Sequence, residues 1–256
     1  MKRAVILRGL ILASLAIHSA ATAAEEHLAF VSCPIVRDTK TVPCWLAEHE
    51  GETYYLGIQT DVSAPFSPPS LGHKVLVEGE KTDEPRICGG IPLRNVIVSV
   101  MPERADNCQT LLMAEDRYTL PFESPRPPGP SRGRLAFSFP EPEKITPPYK
   151  SRSFQLRYDF DGTVGFRHPR SLVAVMDYAK QINARSISIK GYRARTLLSN
   201  GEALTERDGL AELRAKEAAN LLQGAGLTSP KYVVSWDDEP KTGDASQRRI
   251  EITVDP

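Results

Sequence analysis

The sequence lacks the features that would assign it to several common classes of protein. It has no basic excess, because 32 Lys and Arg balance 32 Asp and Glu, and nucleic-acid phosphates are bound by concentrated positive surfaces. It has no apolar run close to the roughly 20 residues that span a bilayer. It has no C-x-x-C, H-x-x-x-H or H-E-x-x-H motif. We therefore predict no nucleic-acid partner, no transmembrane segment in the mature chain, no metal site and no cofactor.

A catalytic centre is not predicted either. The sequence G-x-S-x-G at 129–133 lies in a proline-rich stretch, whereas a hydrolase nucleophile sits on a turn between a strand and a helix. No nucleophile with a neighbouring base and no convincing pair of carboxylates is found. The sequence therefore predicts a binding protein rather than an enzyme.

Residues 1–23 are typical of a cleavable signal peptide. The start of the chain is basic, residues 9–16 are apolar, and residues 21–23 (Ala-Thr-Ala) are small. The apolar run is too short for a membrane anchor, and no Cys follows it to carry a lipid. We expect an exported, slightly acidic mature chain that begins near Ala24.

Four cysteines lie in the first half of the mature chain: Cys33, Cys44, Cys88 and Cys108. An even number of cysteines in an exported protein indicates disulfides. Two bridges are therefore predicted, and the sequence leaves all three pairings open.

A proline-rich spacer, 121–150, divides the chain into two predicted domains. It carries nine prolines, which exclude helix and central strand and favour a semi-rigid linker. Within it, the alternating residues 134–139 (RLAFSF) could form a short strand. The spacer separates a cysteine-containing domain, 24–120, from a cysteine-free domain, 151–256.

The first domain is predicted to be β-rich. Residues 53–59, 74–80 and 95–100 are β-branched or aromatic runs between turn-forming clusters. Short strands, many turns and two disulfides favour a small barrel or sandwich. Residues 71–93 resemble the strand pattern of OB-type barrels.

The second domain alternates strands and helices, so the whole chain is α+β. The predicted order is β-α-β-α-β-β, which makes a two-layer domain. Its elements are strands 153–158, 186–191, 231–236 and 249–254, with helices 169–184 and 210–223.

Three segments of this domain carry a resemblance to a known family. They are LAELRAKEAANLL (210–222), ISIKGY (187–192) and QRRIEI (247–252). The first is similar to the helix L-S-x-x-R-A-x-x-V-x-x-x-L of OmpA-like C-terminal domains, with Ala211 in place of Ser, and the others to that family's strand ending in Gly and its closing strand. The resemblance runs from Phe154 to the end of the chain. It implies a peptidoglycan-associating module in the periplasm of a Gram-negative bacterium, in association with the outer membrane.

The resemblance also implies a binding pocket. The family holds the free end of diaminopimelate, which has one ammonium and one carboxylate, and a helix Arg grips the carboxylate by paired hydrogen bonds. That Arg corresponds to Arg214. The pocket residues predicted around it are Tyr192, Arg193, Arg195, Asp208 and Arg248.

One family residue is missing from this pocket. The Asp that binds the ammonium is replaced by Ala194, which lies between two arginines, and like charges weaken cation binding. The loop from there to Arg214 is also longer than usual. An acid of this loop, Glu202, Glu206 or Asp208, could replace the Asp.

Two further alternatives remain open. The arginines could favour a more acidic ligand, or the pocket could be inactive and the domain serve for protein docking. Arg214 could also form a structural salt bridge with Glu217 or Glu251.

These observations predict a periplasmic envelope protein. Its C-terminal domain would associate with peptidoglycan, with an affinity that the loss of the family Asp lowers, while its N-terminal domain contacts another envelope protein. The alternative is an interaction or assembly factor whose C-terminal domain no longer binds the wall.

Overall fold

The structure, a computed structural model, describes residues 27–58, 70–120, 144–163 and 169–256. The predicted signal peptide, 1–23, lies outside the described residues. So does most of the predicted spacer, including the segments 129–133 and 134–139. Among the described residues, no helix is both long enough and apolar enough to cross a membrane.

Seven strands form the N-terminal half of the molecule. They are β1 (His27–Ser32), β2 (Pro34–Arg37), β3 (Cys44–His49), β4 (Glu52–Ile58), β5 (His73–Lys81), β6 (Ile91–Arg104) and β7 (Thr110–Leu112). They make one curled half-barrel sheet in the order β1-β5-β6-β4-β3-β2-β7. The long strand β6 joins its two parts, since its first residues pair with β4 and the remainder pairs with β5.

Local sequence explains the inner strands of this sheet. In β5 the consecutive residues Val75, Leu76 and Val77 are fully buried. A continuous run of branched apolar side chains is typical of a strand that is covered on both faces. The predicted strands 53–59 and 74–80 match β4 and β5 within one residue at each end. The predicted strand 95–100 is the middle of the longer β6.

Both predicted disulfides are present, and the structure selects the pairing Cys33–Cys108 and Cys44–Cys88. Cys33 lies between β1 and β2, and Cys108 follows β6. Both bridges therefore close within the N-terminal half. The expectation of a small, disulfide-linked β-rich unit is confirmed.

The C-terminal half has the predicted β-α-β-α-β-β order with one added strand. Its elements are β8 (Arg152–Arg157), α1 (Pro169–Gln181), β9 (Ser186–Leu197), β10 (Ala203–Thr205), α2 (Leu210–Gly224), β11 (Lys231–Thr242) and β12 (Arg249–Asp255). Strand β9 pairs parallel with β11 and antiparallel with β12, and β8 lies beyond β12. The added strand, β10, folds back on the end of β9.

The two helices pack against this sheet to form a single apolar core. Val175 of α1, Ile182 directly after it, Leu222 of α2 and Ile187 and Ile189 of β9 all belong to it. These positions recur at helical spacing in α1 and at alternate residues in β9. The two-layer α+β fold class predicted from the sequence is confirmed.

Gly191 sets how closely α2 approaches β9. A Cβ at this position would overlap the carbonyl oxygen of Ala211 and press on Ala215. Only glycine lets the backbone of a strand lie so near a helix. The close contact brings the first turns of α2, and with them Arg214, to the middle of β9, where Tyr192 follows Gly191.

Candidate functional site

Arg214 lies at the centre of the predicted pocket, and all of its donors are used within the chain. Its Nε donates to the carbonyl oxygen of Gly162 at 2.9 Å. Nη1 donates to the carbonyl of Tyr192 at 3.1 Å and Nη2 to that of Asp159 at 3.2 Å. The two remaining N–H groups bind the carboxylate of Glu206 at 3.0 and 2.6 Å. A guanidinium has five N–H groups, so each has an acceptor.

Glu206 is equally saturated. Besides the two bonds from Arg214, its Oε1 accepts the backbone N–H of Asp161 at 3.0 Å, and its Oε2 accepts that of Ala194 at 2.7 Å. A carboxylate offers about four acceptor sites, and all four are filled. The side chains of Arg214 and Glu206 are both 0 % exposed. The charges therefore neutralise each other in a site that solvent does not reach.

Burial affects two titratable neighbours of this pair. It raises the pKa of the Tyr158 phenol to about 12, and the ring of Tyr158 lies 4.7 Å below the Arg214 guanidinium. Burial also raises the pKa of the Asp161 carboxyl, whose Oδ1 accepts the N–H of Arg207. Desolvation disfavours the charged form of each group.

The carboxylate of Glu206 lies against Ala194, the position of the missing family Asp. The hydrogen bond from the Ala194 N–H fixes it there. The other two acids of the lengthened loop are elsewhere: Glu202 binds Asn200, and Asp208 pairs with Arg193 while remaining 91 % exposed. Of the three carboxylates that the sequence offered, the structure brings Glu206 to Arg214.

The predicted pocket arginines of β9 are also internally paired. Arg193 donates to the carbonyl of Glu206 at 2.7 Å and forms ion pairs with Asp208 at 2.7 Å and Asp238 at 3.5 Å. Arg195 donates to Thr205 of the added strand β10 at 3.3 Å. Arg193 is therefore held by two carboxylates, whereas Arg195 makes an exposed contact with a hydroxyl.

Tyr192 lies in a different polar group, together with Glu251, one of the two acids that the sequence offers as a salt-bridge partner for Arg214. Its hydroxyl donates to Glu251 at 3.1 Å, and Glu251 also accepts from Arg249. The guanidinium of Arg249 stacks 4.6 Å from the Tyr192 ring. Glu251 is therefore engaged away from Arg214, whose salt bridge is with Glu206 instead.

Arg248 contacts the N-terminal half of the molecule. Its Nη1 donates to Glu78 of β5 at 3.3 Å and to Thr196 at 3.0 Å, and its Nη2 forms a close ion pair with the other Glu78 oxygen. The Arg248 side chain is 0 % exposed and that of Glu78 is 2 % exposed. The predicted pocket residue thus joins the two halves.

Sequence reasoning missed Glu78 and the carbonyls that bind Arg214. The run V-L-V-E in β5 does carry a signal, because consecutive apolar residues indicate a strand covered on both faces. An acid at the end of such a run needs a buried cation. The carbonyls of Asp159 and Gly162 have no signal beyond that of a turn, since any residue supplies a carbonyl.

The described residues contain no group of three or more His, Cys, Asp or Glu side chains placed to hold a metal ion.

Comparison with known proteins gives structural neighbours only. No protein-family model matches the chain, and no curated protein matches it. The OmpA-like domain of FopA1 from Francisella tularensis subsp. tularensis SCHU S4 is similar over 41% of this chain and 73% of that one, with 19% identity and a TM-score of 0.33. A MotB-like protein from Desulfovibrio vulgaris is similar over 41% of this chain and 76% of that one, with 17% identity and a TM-score of 0.33.

Proposed function

We propose that this protein is a non-enzymatic cell-envelope protein of the periplasm that acts through protein contacts. Its C-terminal half resembles a peptidoglycan-associating domain in sequence, but its carboxylate pocket is filled by the chain itself. The observation that carries the proposal is the saturated pair of Arg214 and Glu206. Glu206 occupies the guanidinium where a ligand carboxylate would bind.

The compartment follows from separate features. The first 23 residues have the pattern of a signal peptide. The two disulfides are of a kind that forms and persists in oxidising compartments such as the bacterial periplasm. Both features favour an exported protein, whatever its C-terminal half binds.

A wall ligand at Arg214 would first have to displace Glu206. Removing one partner of a buried ion pair costs about 3–5 kcal/mol, so the open form would be a small fraction of the molecules. The apparent affinity of a ligand falls by that fraction, roughly a hundred-fold or more. The tethered carboxylate also competes at a high effective concentration. Binding of diaminopimelate in this pocket would therefore be weak.

A second function, peptidoglycan binding at Arg214, is favoured by one observation. The Glu206 carboxylate lies beside Ala194, so an acid and an arginine are adjacent, as a ligand with one ammonium and one carboxylate requires. In this case Glu206 would rotate to take the ammonium and free Arg214 for the carboxylate.

Sedimentation with isolated diaminopimelate-type sacculi tests the two functions. We expect the wild-type protein to stay in the supernatant. The variant Glu206→Gln, which loses the charge that holds the guanidinium, should sediment several-fold more. The matched control is Glu212→Gln, which breaks the exposed pair of Glu212 and Lys216 on α2, the helix that carries Arg214.

The opposite result identifies the second function. If the wild type sediments and Arg214→Met does not, Arg214 binds the wall and the proposal of a filled pocket is wrong. If both sediment equally, the wall is bound by another surface, and the pocket remains filled. Circular dichroism of each variant must first show a native spectrum.

A further inference from the structure

A buried ion pair joins the two halves of the molecule across 170 residues of sequence. Glu78 lies in the middle of β5, and its carboxylate binds both Nη atoms of Arg248. Arg248 precedes β12 and also donates to Thr196 at the end of β9. Neither charged side chain is more than 2 % exposed. Each half therefore contributes one charge to a pair that spans the two halves.

A buried charge of this kind requires its partner. An arginine out of water and without a carboxylate is strongly unfavourable, and so is a buried carboxylate without a cation. If the halves separated, both groups would have to be rehydrated. Geometry makes the pairing selective, because the bidentate arrangement fixes the orientation of the guanidinium as well as its distance.

A second contact joins the halves through backbone groups. Ser199, in the turn between β9 and β10, donates its N–H to the carbonyl of Ala29 at 2.7 Å. Its hydroxyl accepts the N–H of Ala29 at 3.0 Å. Ala29 lies in β1, which is an edge strand of the N-terminal sheet. Exposed strand edges are commonly covered in this way, and here the cover comes from the lengthened loop of the C-terminal half.

We propose that the N-terminal half is a built-in protein partner of the C-terminal half and that the two recognise each other without a covalent connection. Glu78 is the carboxylate that occupies the Arg248 site, and Ser199 closes the free edge of β1. The halves therefore form one body with a composite surface rather than two modules on a spacer. This inference goes beyond the proposed function, since it concerns Arg248 and holds whether or not Arg214 binds the wall.

Cleavage between the halves tests the proposal on the whole chain. A site for a specific protease is inserted after Pro130 in the full-length mature protein, and the purified protein is cut under native conditions. Because both disulfides lie in the N-terminal half, no covalent link then remains. We expect the fragments to co-elute in size-exclusion chromatography at micromolar concentration. Separate elution of the wild-type fragments overturns the proposal.

Substitutions at the ion pair show whether Glu78 and Arg248 cause the association. Glu78→Gln and Arg248→Met should each raise the dissociation constant of the cut protein by about a hundred-fold or more. The matched control is Glu52→Gln, which breaks the exposed pair of Glu52 and Arg86 in the same half and should leave the constant unchanged. An equal constant for Glu78→Gln and wild type contradicts the proposal.

A double variant separates loss of recognition from loss of folding. Apolar residues of similar volume replace a buried ion pair at little cost, so Glu78→Met combined with Arg248→Met should recover association to within about ten-fold of wild type. If the double variant binds as weakly as Arg248→Met alone, the single substitutions act by damaging one half, and the ion pair does not determine recognition.

Discussion

Arg214 and Arg248 are two buried arginines that form the same kind of ion pair over very different distances along the sequence. Each is 0 % exposed and bound by a glutamate through both terminal nitrogens. The partner of Arg214 is eight residues away, in the loop before its own helix, whereas the partner of Arg248 is 170 residues away, in the other half. One pair organises a domain from within, and the other joins two parts of the chain.

The two arginines also differ in the hydrogen bonds that they make besides the ion pair. Arg214 additionally binds three backbone carbonyls, two from the loop after β8 and one from Tyr192 in the middle of β9. Arg248 has Thr196 as its additional acceptor, and its Nε is buried without a hydrogen-bond partner among the residues that the structure describes. Arg214 thus connects three segments of one half. The Arg248 site depends more on a single residue, Glu78.

The largest effect should come from removing Arg214. Arg214→Met leaves Glu206 buried without its cation and frees three carbonyls, so the free energy of unfolding should fall by about 3–5 kcal/mol. Urea denaturation followed by circular dichroism measures this loss.

The comparison with Arg248 makes that prediction specific. Arg248→Met should lower the stability less, because water can reach Glu78 once the halves move apart. Combining Arg214→Met with Glu206→Met should recover part of the loss, because no buried charge is then left unpaired, although the three carbonyls and the N–H groups of Asp161 and Ala194 lose their partners. A double variant as unstable as Arg214→Met would show that the carbonyl contacts, and not the ion pair, stabilise this site.

Much of the fold could be predicted because its signals are local. The apolar stripe of α1 and the alternation in β9 each lie within one element. The predicted starts of both elements coincide with the observed ones, whereas α1 ends three residues earlier and β9 six residues later than predicted. The four-residue β2 and the three-residue β7 are too short for a period to show. Strands this short form because the disulfides and neighbouring strands hold them in place.

The site was predictable in part, for a related reason. A helix motif identifies Arg214 in the sequence, and the same resemblance marks Ala194 as a position where an Asp is expected. The choice of Glu206 among three nearby acids depends on the course of the loop and on β10, which no periodic pattern encodes. The pairing of Glu78 with Arg248 depends on how the halves dock, which lies beyond any local signal.

An intermediate effect should follow from opening the disulfides, and it should separate the two arginine sites. Replacing Cys44 and Cys88 by Ala should cost about 2–4 kcal/mol, confined at first to the N-terminal half. Hydrogen exchange should then be faster in β5, which holds Glu78, while α2, which holds Arg214, keeps its protection. Equal loss of protection in α2 would mean that the halves unfold as one unit and that the two sites are not independent.

The smallest effect is a loss of stability at alkaline pH, and it is expected at the Arg214 site because the ring of Tyr158 lies beneath that guanidinium. Burial raises the pKa of Tyr158 from 10.0 to about 12 in the folded protein. The folded state therefore holds this proton more tightly than the unfolded state does. The corresponding stability is fully present below pH 10 and is lost as the pH rises through about 12, up to roughly 2–3 kcal/mol.

Tyr158→Phe keeps the ring and removes the proton, so its unfolding free energy should fall less than that of the wild type between pH 10 and 12. Tyr192→Phe is the control, because that phenol belongs to the separate group with Glu251. If the wild type and Tyr158→Phe lose stability in parallel across this range, Tyr158 does not link the Arg214 site to pH.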